Sequence, residues 1–239
     1  ELWEVMMKGL NKLKPGAIFN FGNKGLSAEF IKRQSTRAFL RFSSSQGLEA
    51  YLKESGRMPL PPYIQRPMDT NVQTLELDKK RYQTVFASNE GAIAAPTAGL
   101  HFTQSQLANL RKKTVNTANL TLHVGPGTFV PIRAENFIDH KMEEEYFELS
   151  PVNWNKITLA KKKGQSILAV GTTSTRVLET QTFDTSIQER VSGRCNCFIY
   201  PGWEFKNVDH LLTNFHLPKS TLFLLICAFM GENLAKKAY

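Results

Sequence analysis

Cysteine is scarce in this sequence, and no apolar stretch in it is long. The three cysteines, Cys195, Cys197 and Cys227, are an odd number, which argues against a disulfide framework and for a soluble protein in a reducing compartment. Cys195-x-Cys197 has no second pair with which to build a tetrahedral metal site. The longest apolar run, Leu222–Met230, is nine residues, well short of the ~20 that a membrane span requires. No basic start followed by an apolar segment opens the sequence, so no secretory signal is expected. HExxH and His-x-His pairs are missing, as are a phosphate-cradling Walker A loop and a dinucleotide fingerprint.

What is present is material for a real core. Of 239 residues, 41% are hydrophobic, which excludes wholesale disorder and allows one large unit or two small ones. The net charge is +9, and its distribution is uneven. Residues 1–57 carry ten Lys/Arg against five Asp/Glu, a net +5, leaving +4 for the remaining three quarters. A compact basic region attracts a polyanion, and nucleic acid heads that class.

The pattern changes near Gly47. Before it, Ala17–Phe21, Ala28–Ile31 and Ala38–Phe42 read as short strands separated by turn residues, and Glu1–Val5 is strand-like too. Leu48–Glu54 reads as a short helix stopped by Gly56, and the proline-rich stretch from Met58 to Tyr63 is a stiff extended connector. Beyond Tyr82 the order is strand, loop, helix. Thr103-x-x-Gln106 predicts a capping box, Thr117–Val124 a strand, and Ser150-Pro151 a helix start with Gly164 as its stop. Ser166–Val170 predicts a strand leading through Gly171 into a helix that carries Arg176. Phe198–Tyr200 and Leu211–Phe215 predict further strands, and Pro218–Gly231 a largely buried helix. Such alternation predicts an α/β domain with a mostly parallel sheet.

In such folds ligands gather in the loops after the strands. His101, His123, His140 and His216 fall in or near those loops, each a candidate for proton transfer or for a hydrogen-bonded structural role. Gly125-Pro-Gly127-Thr128 and Gly171-Thr172-Thr173-Ser174 are ligand-loop candidates, because small residues let backbone N–H groups approach a polar ligand closely. In the second loop the following helix would add its N-terminal N–H groups. The alternative is a plain strand–helix turn.

Eight strings in order carry a family resemblance: PLPPYI (59–64), RYQTVFA (81–87), GAIAAPTAGLHF (91–102), LTLHVGPGTFVPIR (120–133), DHKMEEEY (139–146), AVGTTSTRVLE (169–179), FIYPG (198–202) and TNFHLPKSTL (213–222). Together they resemble, from end to end, the S-adenosylmethionine:tRNA ribosyltransferase-isomerases of queuosine biosynthesis. The family's N-terminal region with its Asn-Thr-Arg motif, and its C-terminal tail, have no counterpart in these residues, and Glu143 stands where many members carry histidine.

The resemblance implies a main three-layer α/β domain with a mostly parallel sheet, plus a small, here incomplete, β-barrel domain. Residues 1–44 would be the latter part of the barrel, 45–57 a connecting helix and linker, and 58–239 the α/β catalytic domain. It also implies an enzyme that moves the ribosyl part of S-adenosylmethionine onto 7-aminomethyl-7-deazaguanine at the tRNA wobble position. Epoxyqueuosine forms, and adenine and methionine leave. The implied partners are tRNA and S-adenosylmethionine as co-substrate, with no metal, no permanently bound cofactor and no membrane, in a cytoplasmic monomer.

That chemistry calls for particular groups. A sulfonium acidifies the neighbouring ribose C5′ protons, so a base starts the reaction, an acid assists the departing adenine, and a second acceptor keeps the incoming amine neutral. His101, His123, His140 and Glu145 are the acid/base candidates. Thr97, Gly99, Gly125, Gly127, Thr128, Phe129, Thr172, Thr173 and Arg176 are candidates for holding S-adenosylmethionine, with Arg176, like Lys219, suited to its carboxylate or to a tRNA phosphate. Tyr200, Asn214, His216 and Lys219 are substrate-binding candidates, Tyr200 by stacking on a base. Lys32, Arg33 and Arg37 would meet the tRNA backbone. Two readings compete: a non-catalytic RNA-binding module, and a methyltransferase using the same co-substrate, for which the customary glycine-rich loop is not evident.

Overall fold

The structure is a computed structural model that describes residues 1–7, 9–22, 25–34, 37–61, 63–125 and 136–239. Gly127, Thr128 and Phe129 lie outside the described residues. The chain divides into two compact units, Glu1–Met58 and Pro59–Tyr239.

The first unit is built on a four-stranded antiparallel sheet of β1 (Leu2–Val5), β2 (Ile18–Phe21), β3 (Leu26–Gln34) and β4 (Arg37–Ser44), in the order β1-β4-β3-β2. Alternation decides its buried face. Leu26, Ala28 and Phe30 of β3 and Ala38 and Leu40 of β4 are buried, and all of these but Leu26 form one cluster with Leu10. Phe30 pairs with Leu40 but Lys32 with Phe39, so Ile31 is the extra residue of a bulge. Past the bulge the Lys32 ammonium sits 4.9 Å from the centre of the Phe39 ring. Helix α1 (Leu48–Ser55) follows, and Tyr51 Oη donates to the Phe21 carbonyl at 3.2 Å.

The second unit opens with α2 (Val72–Arg81), capped by Asn71, and α3 (Gln104–Lys112), whose N-terminus carries the Thr103–Gln106 capping box expected from the spacing. Strands β5 (Thr121–His123), β6 (Glu145–Leu149) and β8 (Val191–Cys195) form an antiparallel sheet in the order β5-β6-β8. Helix α4 (Pro151–Lys162) starts at the Ser150 cap with Pro151 in its first turn, and Gly164 follows it with φ +64°. Strand β7 (Leu168–Val170) leads into α5 (Thr172–Glu179) and pairs in parallel with β9 (His210–Leu212). Helix α6 (Thr221–Met230), capped by Ser220, and α7 (Glu232–Ala238) complete the unit.

The architecture is mixed α/β with several sheets, but the expectation of a mostly parallel sheet needs correction. Among the described residues β7–β9 is the parallel pair, and every other ladder is antiparallel. Sequence patterning missed β6 and β8, the strands that make the larger sheet of this unit antiparallel. In β6 the inward positions are Glu145, Phe147 and Leu149, so a charged residue interrupts the apolar alternation. In β8 the residues are Val-Ser-Gly-Arg-Cys, with little strand character. Conversely, Phe198–Tyr200 forms no strand, although Ile199 is fully buried between half-buried neighbours.

Three apolar clusters hold the second unit together. Leu149, Trp154, Ile157, Ala169, Leu178, Phe183 and Val208 form one, with Trp154 and Phe183 ring centres 4.5 Å apart. Ile199, Leu225, Ile226, Cys227 and Ala235 form another beneath α6, and Phe147, Val177 and Cys195 a third. Helix α5 takes part in two of them, and so nearly all of it is buried, polar residues included.

Candidate functional site

Burying polar groups on α5 requires partners for them. Glu179 accepts from the backbone N–H groups of Lys206, Asn207 and Val208 at 2.8–2.9 Å, and Asn207 Nδ2 donates to the carbonyls of Leu178 and Gln181. Arg176 donates from Nη1 to Glu145 Oε2 at 2.9 Å and from Nε to the Cys197 carbonyl at 2.8 Å, with Nη2 3.4 Å from the Cys195 carbonyl. Both side chains of this ion pair are only 4% exposed. Helix α5 is thereby bolted to the start of β6 and the end of β8. The guanidinium chosen from sequence for a ligand carboxylate is engaged instead with a carboxylate of the protein itself.

The helix is entered through Gly171, whose φ of +95° suits glycine. The Gly171 N–H donates to the Leu212 carbonyl at 2.9 Å, placing this turn at the ends of the β7–β9 pair. A Cβ on Gly171 would lie 4.0 Å from Ala98 Cβ, so the 3-10 turn Thr97–His101 packs against the same corner. That turn is itself tight: a Cβ on Gly99 would come within 2.8 Å of Thr84 and 2.9 Å of Phe86. Thr172 and Thr173 are buried here, and Thr97 is half-buried.

His101 closes the 3-10 turn and is exposed. Its Nε2 lies 3.0 Å from Asn214 Nδ2, from the segment that follows β9. An amide nitrogen donates, so in this contact Nε2 accepts. Asn214 Oδ1 is buried and has no hydrogen-bond partner among the described residues. Nearby in the chain, Lys219 is exposed and holds a left-handed backbone, φ +60°, at a cost of about 1–2 kcal/mol. Here, then, the ends of the parallel strands gather Thr97, Gly99, His101, Thr172, Thr173 and Asn214 from three of the motifs.

His216 faces a different fate. Its ring nitrogens lie 3.4 Å from Thr213 Oγ1 and from Tyr239 Oη, and its backbone N–H donates to that same Tyr239 oxygen at 3.1 Å. Burial pushes its pKa down to about 4, so it is neutral near pH 7. Beside it a cavity of about 180 Å³ is lined by Thr213, Asn214, Phe215, Ile226, Phe229 and Tyr239 among others.

The remaining histidines sit elsewhere in this unit. His123, on β5, is half-buried and edge-on to Tyr146 of β6, with ring centres 5.4 Å apart. Gly125 follows it shortly after, and among the described residues no atom lies within 4 Å of where its Cβ would be. His140 stands against Phe198 at 5.5 Å, Phe198 against Tyr200 at 5.3 Å, and Tyr200 against Phe137 at 5.6 Å. These four half-buried rings form a continuous aromatic face that carries one imidazole. Phe137 and Phe198 were not singled out from sequence, and neither was Glu179. The alternation of Phe198, Ile199 and Tyr200 was the available signal for Phe198, while Glu179 gave none. Among the described residues no three His, Cys, Asp or Glu side chains gather as a cation site needs. No described helix is long and apolar enough to cross a membrane.

In the first unit Lys32, Arg33 and Arg37 lie at the paired ends of β3 and β4. Arg33 is hydrogen-bonded to Asn11 Oδ1, and Arg37 Nε is 3.9 Å from Glu4.

Comparison with known proteins places these motifs. The S-adenosylmethionine:tRNA ribosyltransferase-isomerase of Natranaerobius thermophilus is 44% identical over 239 residues, covering 99% of this chain and 67% of that protein. The proteins of the same name from Halothermothrix orenii and Staphylococcus aureus are 43% and 44% identical, over 100% and 99% of the chain and 68% and 67% of their own lengths. A crystal structure of S-adenosylmethionine tRNA ribosyltransferase from Thermotoga maritima aligns with a TM-score of 0.47 at 28% identity, covering all of this chain and 63% of that one. The chain thus spans about two thirds of the length of these relatives. The family described as queuosine biosynthesis protein matches residues 1–239. With that match running the full length, and with relatives of this identity, the chain belongs to the queuosine biosynthesis protein family.

Proposed function

We propose that this protein is a tRNA-modifying transferase-isomerase. It moves the ribosyl moiety of S-adenosylmethionine to 7-aminomethyl-7-deazaguanine at the wobble position of tRNA, giving epoxyqueuosine with release of adenine and methionine. Family membership supports the reaction class. The observation that carries the reading to residues is the His101–Asn214 contact at the ends of β7 and β9. It presents an exposed, titratable imidazole on a rigid turn, beside the glycine-bounded corner of Thr172 and Thr173.

In this reading S-adenosylmethionine lies against Thr97, Gly99, Gly125, Thr172 and Thr173, with Gly127, Thr128 and Phe129 completing its site. His101, His123 and His140 divide the proton transfers at C5′, at the leaving adenine and at the incoming amine. Tyr200, with the rings around it, stacks on a base, and Asn214, His216 and Lys219 contact substrate. Arg176 and Glu145 act as a pair that holds α5 in place. The reaction needs no metal and no resident cofactor, and its setting is the cytoplasm. Residues 1–44 are the latter part of a small β-barrel that binds the tRNA backbone as a monomer's RNA platform, 45–57 the connection, and 58–239 the catalytic domain.

Product analysis tests the proposal. Incubated with S-adenosylmethionine and tRNA bearing the aminomethyl-deazaguanine, the protein releases adenine and methionine in equal amounts. S-adenosylhomocysteine as the product would make it a methyltransferase, and tRNA binding without turnover would make it a binding module.

A further inference from the structure

Gly91 opens one of the shared motifs, and its place in the fold is unusual. Its φ is +133°, and a Cβ built on it would lie 2.1 Å from His123 Nδ1 and 2.3 Å from His123 Cε1. Two heavy atoms cannot share that space, so main chain without a side chain is the surface on which this imidazole rests. The segment around Gly91 is held against β5 by its own bonds. Asn89 Nδ2 donates to Thr121 Oγ1 at 2.9 Å, and the N–H groups of Ile93 and Ala94 both approach the Val124 carbonyl, at 3.0 and 3.3 Å. Across the sheet, His123 pairs with Tyr146, whose ring meets the imidazole edge-on. The imidazole is therefore packed against a backbone strap and a phenol ring, with the strap against its Nδ1 side.

We infer that Gly91 is a positioning residue for His123: by leaving room for the ring and walling its Nδ1 side, it leaves Nε2 as the nitrogen that exchanges a proton with substrate. The inference rests on the proposed function only for the part His123 plays in turnover. The packing of the ring stands on the geometry alone. Misplacing an acid/base group by about 1 Å is enough to cost ~10²-fold in rate. A Cβ at position 91 needs more than 3 Å from any ring atom and is built 2.1 Å from Nδ1, so ring and strap must part by about 1 Å.

The test is Gly91→Ala, His123→Ala and the double variant, read in three ways. Adenine release gives kcat and KM for S-adenosylmethionine, thermal melts give stability, and two-bond ¹H–¹⁵N spectra of the imidazoles give the His123 tautomer without any turnover. The expected result for Gly91→Ala is a kcat lower by roughly 10–100-fold with KM little changed and the His123 resonances shifted. In the His123→Ala background the same substitution lowers kcat no further, because the ring it would displace is gone. Unchanged His123 resonances, or losses in kcat that multiply in the double variant, overturn the inference. Should Gly91→Ala fail to fold, recovery of folding in the double variant supports the ring conflict, and continued failure assigns Gly91 to its backbone conformation alone and overturns it. Shifted resonances in a protein that never releases adenine would uphold the placement and refute the proposed function.

Discussion

Arg176 and Glu145, 31 residues apart in sequence, form an ion pair in which both side chains are 4% exposed. Two charges withdrawn from water gain little net stability from each other, but removing one strands the other. Arg176→Met is therefore expected to destabilise the protein by about 3–5 kcal/mol, since the buried ion pair with Glu145 is lost and the Cys195 and Cys197 carbonyls lose a donor. Arg176→Met combined with Glu145→Leu should recover most of that loss. Denaturant unfolding of the two variants measures the difference, and equal destabilisation of the single and double variants would contradict the pair's dependence on charge.

His216 makes stability depend on pH. Its folded pKa is lowered to about 4 from an ordinary value of 6.5, so the unfolded chain binds the proton more readily. Stability from this group is fully present above about pH 6.5 and is lost progressively as pH falls toward 4. The ring is only partly buried, so the loss is about 1–2 kcal/mol after allowance for solvent screening. His216→Gln should flatten that part of the stability-against-pH curve. A curve of unchanged slope between pH 6.5 and 4 would mean that the imidazole is hydrated in both states.

His101 is exposed and contacts Asn214, so its replacement should touch chemistry more than folding. His101→Asn is expected to melt like the wild type and to release adenine roughly 10²–10⁴-fold more slowly, with one limb of the pH–rate profile lost. Turnover at the wild-type rate with both limbs intact would return His101 to a structural role and leave the proton transfer to His123 or His140.

Lys32, Arg33 and Arg37 test the RNA platform. Their joint replacement by glutamine should weaken tRNA binding and reduce the slope of log K against log salt by about 2–3, close to one unit for each phosphate no longer neutralised. S-adenosylmethionine affinity should stay unchanged. A salt slope equal to that of the wild type would place the phosphate-binding cations elsewhere.

Much of the local structure was legible in the sequence because its causes are local. The Thr103–Gln106 capping box, the Ser150-Pro151 helix start, the Gly56 stop and the alternation of β3 and β4 each follow from residues within a few positions of one another. Eight ordered motifs likewise sufficed for the family, since recognition needs only residues and order. Strands β6 and β8 were not legible, because the inward positions of β6 include Glu145 and the residues of β8 have little strand propensity.

Only the tertiary structure decided that Glu145 could occupy a strand's buried face, by bringing Arg176 to it. It also decided that most strand pairs run antiparallel, a property of partners and not of any single strand. The histidines show the same division. The sequence by itself placed four of them among the motifs. Packing across the fold left His101 exposed beside Asn214, 113 residues away, desolvated His216 against Tyr239, and pressed His123 onto the main chain of Gly91. Solvation and hydrogen-bond partners set what an imidazole can do, and both are supplied by residues distant in the chain.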